Sequence, residues 1–180
     1  MPISDIQKNP TTGALYVEQL NTSLSSSGHP KTVIITRPAN TTPYTALDVV
    51  GNATTAILEF TDIVTFAGEK FITSIELEVD VTAVPSGMAG FNVRLYNASP
   101  TAISDNDAWD FPVADRGKYL GKVQLATPVD EISTLFSDND QINKPITMIS
   151  TSLFVILQTI GAYTPGSGTV KRLTIHLLDA

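Results

Sequence analysis

The chain of 180 residues carries 16% charged and 42% hydrophobic side chains, with 18 acidic against 11 basic residues, a net charge of −7 and no cysteine. Such a length suits one domain with a single core, and a chain without cysteine has no disulfide framework, no thiolate nucleophile and no sulfur-ligated zinc. The acidic balance, with no run of Lys or Arg, lacks the electrostatic footprint of a nucleic-acid or anionic-membrane binder.

Residues 1–10 are polar and lack the apolar stretch of a signal peptide, which predicts a chain made and assembled in a cytosol. Residues 1–30 read as an N-terminal arm and linker: a candidate short strand at 15–19 (LYVEQ), then a Ser/Thr/Asn/Gly stretch at 21–28 with only Leu24 to bury. A β domain is expected over 31–180, because β-branched Val, Ile and Thr are plentiful and long charged helix formers are sparse. Its first strand is the run at 32–36, stopped by Arg37-Pro38; loop and then strand follow at 44–50, with short apolar runs at 56–60 and 63–66. The clearest element spans 71–81, where Ile75, Leu77, Val79 and Val81 alternate with Glu76, Glu78 and Asp80, the period of a half-buried strand. Pro85-Ser86-Gly87 then leads into 91–96, with Phe91, Val93 and Leu95 alternating, and the two strands read as an antiparallel pair. A long polar connection at 97–116 carries Trp109, and strand character resumes at 119–125. Thr127-Pro128-Val129-Asp130-Glu131 has the start signals of one short helix: a capping Thr, Pro at the first position and acids in the first turn. Residues 146–159 supply one long strand or two short ones, and 170–178 the last, with Leu173, Ile175 and Leu177 alternating against Arg172, Thr174 and His176. About eight strands with at most one short helix predict an all-β, antiparallel, jelly-roll-like sandwich, since the long connection suits a crossing between sheets.

Motifs for chemistry are weak. Ser-Asp-Asn-Asp occurs at 104–107 and 137–140, and Asp105, Asp107 and Asp110 offer oxygens to calcium; but Trp109 and Asp110 stand at the fifth and sixth places of an EF-hand count, so turns with Asx-type hydrogen bonds are the better reading. The only histidines are His29, in the linker, and His176, on an outward face; no Gly-x-Ser-x-Gly elbow is present. The Gly161–Gly166 gap matches a phosphate loop, but Ser167 replaces its lysine. The four Asn-x-Ser/Thr triplets, at Asn21, Asn40, Asn52 and Asn97, follow from Ser/Thr richness. Tyr44, Tyr96, Trp109 and Tyr163, taken as exposed, offer an interface or a sugar platform, and of these Trp109, Tyr44 and Tyr163 are the candidate contact residues, with packing the weightier role for a lone Trp. No catalytic residue, metal or cofactor is expected.

Three segments carry a resemblance: ITRPANTTPYTALDVVG at 35–51, FNVRLYNASPTAISDN at 91–106 and LQTIGAYTPGSG at 157–168. Together they resemble a group of small virion structural proteins of tailed bacteriophages, over a stretch from about residue 32 onward. The resemblance implies a capsid cement or decoration protein with a jelly-roll fold, sitting as a symmetric homo-oligomer, a trimer or alternatively a dimer, on the outer surface of the head against the major capsid protein. It carries over no catalytic residue. In related chains the Thr-Arg-Pro motif stands close to the start; here about thirty residues precede it, which favours an arm that reaches a neighbouring subunit. A carbohydrate-binding adhesion module, using Trp109 and nearby acids, is the alternative, and a glycan hydrolase acting through Asp105 or Asp107 comes third.

Overall fold

The computed structural model describes residues 29–179. The arm's strand at 15–19 and its linker at 21–28 lie outside the described residues.

Among the described residues eleven strands form two antiparallel sheets packed face to face. They are β1 (His29–Thr36), β2 (Val49–Val50), β3 (Ile57–Phe60), β4 (Gly68–Val79), β5 (Phe91–Tyr96), β6 (Tyr119–Leu125), β7 (Val129–Asp130), β8 (Leu135–Asn139), β9 (Lys144–Met148), β10 (Leu153–Thr159) and β11 (Val170–Asp179). One sheet runs β1-β11-β4-β8-β7, with β9 also on β4; the other runs β2-β10-β5-β6, with β3 also on β10. The alternating side chains of β4 and β11 (Ile75, Leu77, Val79; Leu173, Ile175, Leu177) meet those of β5, β6 and β10 (Phe91, Val93, Leu95; Leu125; Val155, Leu157) in one buried cluster. Removing each such side chain from water contributes roughly 1.5–3 kcal/mol, so the apolar period fixes both strand register and sandwich.

The two outer faces differ. On the six-stranded sheet the outward residues along the middle of β4 and β11 are polar and pair with one another: Arg172 lies 2.7 Å from Asp80, and His176 lies 3.3 Å from Glu76. The five-stranded sheet is instead covered by the 97–118 connection, which folds Ile103, Trp109 and Phe111 over Val49, Ala56, Tyr96 and Ile156. Strand β10 is therefore buried on both faces, which is why LFVIL is a continuous apolar run with no alternation.

Four expectations are corrected. The 71–81 and 91–96 strands are not a hairpin: β4 belongs to one sheet and β5 to the other, and Pro85-Ser86-Gly87 carries the chain across the sandwich. There is no helix at 127–131. Val129–Asp130 is strand β7, paired Val129 to Phe136 on β8, and the Asp130 carboxylate accepts the Ile132 N–H at 2.8 Å in a turn where Ile132 takes φ 77°. The signals that suit a helix start suit such a turn equally, because Asp offers its oxygen to a nearby N–H in both. The run at 63–66 is no strand but a turn and bend that buries Ile63 and Val64, with the Ile63 N–H donating to the Thr151 carbonyl at 3.0 Å. Finally, β8 lies in the second Ser-Asp-Asn-Asp repeat, read as a turn, where Ser137 faces inward and donates to the Ala126 carbonyl at 2.9 Å.

Candidate functional site

At one end of the sandwich the three segments singled out in the sequence come together around a buried polar network. Arg37 follows the last residue of β1, and its inward phase continues that of Ile35, so its guanidinium enters the protein with its side chain fully buried. There it curls the following loop around itself, with Nη1 donating to the Asn40 carbonyl and Nη2 to the Thr42 carbonyl at 2.7 Å. Nε donates to the Tyr44 hydroxyl at 3.0 Å. That hydroxyl in turn donates to Asp105 Oδ1 at 2.6 Å, and the same oxygen accepts the Gly51 N–H at 2.9 Å. Asp105 Oδ2 stands 3.9 Å from Arg37 Nε, closing the circuit between the first and second segments. The third joins through Tyr163, whose carbonyl accepts the Tyr44 N–H at 3.0 Å and whose ring lies 5.2 Å from that of Tyr44.

Gly51 is required here for space: a Cβ would stand 2.4 Å from the Ala56 Cα. Gly87 is required twice over, by φ 87° and by the Ala162 carbonyl oxygen 2.2 Å from where its Cβ would be. Burial raises the Tyr44 hydroxyl above the ordinary tyrosine range, and the hydrogen bond to Asp105 raises it further; burial raises Tyr163 likewise. Both phenols are therefore neutral at any physiological pH.

A second set of partners fixes the neighbouring loop. Gln158 of β10 is fully buried; its Oε1 accepts from Asn92 at 3.1 Å and from Arg94 Nη2 at 2.8 Å, while its Nε2 donates to the Leu47 carbonyl at 3.0 Å. Arg94 then lies 3.5 Å from the centroid of the Trp109 ring. The indole N–H donates to the Tyr96 hydroxyl at 3.3 Å, and the Phe111 ring stacks at 5.6 Å.

Of the candidate contact residues, Tyr44 and Tyr163 are buried, not exposed, at 1% and 4% of their surface. Tyr96 is buried as well, and Trp109 is half-buried with contacts on three sides. These aromatics fasten loops to the sandwich, and the mistake has a physical cause: each sits in a polar stretch whose backbone runs at the surface while its ring turns inward. Asp105 is turned into the protein, whereas Asp107 and Asp110 are exposed, and Asp110 accepts the adjacent Phe111 N–H at 2.7 Å. Among the described residues no group of three His, Asp or Glu side chains is arranged to hold a metal ion. Above Asp105 lies a shallow pocket of about 130 Å³ walled by Asn52, Thr54, Thr55, Ile103 and Ser104.

Sequence reasoning missed two buried lysines. Lys171 shares the inward phase of Leu173, Ile175 and Leu177, and extending that alternation by one step finds it. Lys70 is hidden by an irregularity: β11 pairs His176 with Ser74 but Leu177 with Ile72, so the extra residue Thr73 reverses the phase and turns Lys70 inward, 2.7 Å from Asp179. No helix among the described residues is long and apolar enough to cross a membrane. No protein-family model matches this chain, and no curated protein matches it.

Proposed function

We propose that this chain is a structural, non-enzymatic virion protein of a tailed bacteriophage, a cement or decoration protein that binds the outer surface of the head against the major capsid protein as a symmetric homo-oligomer, a trimer in the first instance and otherwise a dimer. The observation that carries this reading is the convergence of the three resembling segments, 35–51, 91–106 and 157–168, into one loop cluster at one end of the sandwich. The donors of Arg37 and the oxygens of Gln158 and Asp105 are engaged internally, so the cluster behaves as a rigid platform for contact and not as a reaction centre. A surface fixed before association loses less conformational freedom on binding. On a shell that repeats one subunit many times, a symmetric oligomer adds its contacts through effective concentration.

The test is to ask whether purified heads of the encoding phage contain the chain, and whether the purified protein co-sediments with DNA-free heads. Saturable binding at a copy number that matches the shell lattice is expected, with the oligomer's mass read by native mass spectrometry. Heads that lack the chain and shells that fail to bind it overturn the reading. Polysaccharide binding abolished by Trp109→Ala puts the adhesion module in its place.

A further inference from the structure

We infer that Lys171 and Tyr163 form a buried binding site for one small monovalent anion, of which chloride is the natural example. The site is a small, partly open void behind the loop cluster, lined by both residues, with a volume of about 10 Å³, which is room for a single small particle. Its walls are mostly apolar, among them Val79, Val81, Pro85 and Met88, and its two polar side chains of note are Lys171 and Tyr163. Lys171 is 1% exposed, and neither its ammonium nor the Tyr163 hydroxyl has a hydrogen-bond partner among the described residues. Native interiors rarely leave such groups unmatched, because an unpaired buried donor forfeits its hydration and a buried charge forfeits far more.

Charge decides between water and an anion. The charges that act on Lys171 are the cation Arg37 and the carboxylate of Asp105; the other buried carboxylate of the cluster, Asp48, is engaged by the Thr45 N–H and hydroxyl. Asp105 is already shared between Tyr44 and Gly51, with Arg37 Nε 3.9 Å from its second oxygen, and it makes no hydrogen bond to Lys171. The remainder is one uncompensated positive charge beside two free donors. A water molecule satisfies geometry and leaves the charge; a halide satisfies both, with Lys171 and Tyr163 donating to it. Burial depresses the Lys171 amine to about 8, with Asp105 opposing and Arg37 adding to the effect, so the group is still mainly cationic at neutral pH. The phenols of Tyr44 and Tyr163 are neutral there and do not supply the missing negative charge.

This inference is independent of any role on a virion, and its test uses the purified full chain alone. Thermal unfolding is followed at pH 7 and fixed ionic strength in sodium chloride and in sodium gluconate, whose anion is too large for the void; in parallel, crystals are soaked in sodium bromide for anomalous scattering. Chloride is expected to raise Tm by about 3 °C over gluconate when its concentration is well above Kd. A bromide peak is expected between Lys171 Nζ and Tyr163 Oη. Lys171→Met, which fills the same space without charge, is expected to abolish both signals while still folding, and Tyr163→Phe to weaken them. Equal Tm in the two salts with no bromide peak in the void overturns the inference, as does a peak that survives Lys171→Met.

Discussion

Lys171 is the residue at which pattern and chemistry disagree most. It stands in the core phase of β11, between Ile35 of β1 and Val79 of β4, and at neutral pH it holds a charge where its neighbours hold methyl groups. Its amine is lowered from 10.5 to about 8 by burial. Below pH 8 both the folded and the unfolded chain carry the proton, and the burial of that charge lowers stability in full. Between pH 8 and 10.5 the unfolded chain binds a proton that the folded one has released, so stability rises with pH by up to about 1.4 kcal/mol per unit and about 3 kcal/mol in all. Above pH 10 the sign reverses: Tyr44 and Tyr163 stay protonated in the fold while unfolded tyrosines ionise, and stability falls. Urea unfolding in chloride-free buffer should therefore show a midpoint that climbs from pH 7 to a maximum near pH 9–10 and then declines. Lys171→Met should be more stable at pH 7 and lose the climb. A climb that persists in the variant assigns it to another group.

At the scale of elements, the decisive piece is the 97–118 connection, a long loop without strands that nevertheless covers a sheet face. Three side chains pin it. Asp105 reaches Tyr44 and Gly51, Trp109 packs on Tyr96 and Arg94, and Asp115 accepts the Thr101 N–H at 2.8 Å and the Lys118 ammonium at 3.0 Å. Burial alone would raise the Asp115 carboxyl, but these bonds outweigh it and hold the group below the usual range, so its contribution is present at neutral pH and lost only in strong acid. Asp105→Ala leaves the Tyr44 hydroxyl and the Gly51 N–H without their acceptor and the buried Arg37 without its nearby carboxylate, and should lower stability by about 3 kcal/mol. Asp105→Asn keeps one acceptor oxygen and should lose less. Thermal unfolding gives the magnitudes, and limited proteolysis should cut Asp105→Ala first within 97–116; an Ala variant as stable and as resistant as the parent would remove Asp105 from this role. Little of this network is legible in sequence. Alternation reveals which face of β4, β5 and β11 is buried, because that depends only on neighbours two apart, and it located most strands. Whether Tyr44 turns inward depends on Asp105, sixty-one positions away, and nothing local records that partner. The β7 turn escapes for the complementary reason: its local signals are present but fit a helix start and an Asx turn equally.

For the molecule as a whole, the order of strands decides how it becomes a sandwich. β11, last in chain order, lies between β1 and β4, and its pairing joins His29 to Leu177. β10 likewise gathers β2, β3 and β5, so each sheet is organised around a strand from the C-terminal third of the described chain. Neither the core nor the loop cluster is complete before these two strands arrive, because Leu173, Ile175 and Leu177 supply one wall of the core and Tyr163, between them, supplies the third part of the cluster. Such non-local pairing places folding in the millisecond-to-second range typical of all-β sandwiches, and it leaves no independently stable half. Deletion of 170–179 should therefore abolish cooperative unfolding altogether, not merely lower its midpoint: it separates β1 from β4 and opens the apolar faces of both. Near-ultraviolet circular dichroism and the dispersion of amide resonances measure the outcome. Loss of both is expected, together with binding of a hydrophobic dye. A truncated chain that keeps a sharp transition and dispersed resonances would mean that the five-stranded sheet with its covering loop folds alone, and that the six-stranded sheet docks onto a finished platform.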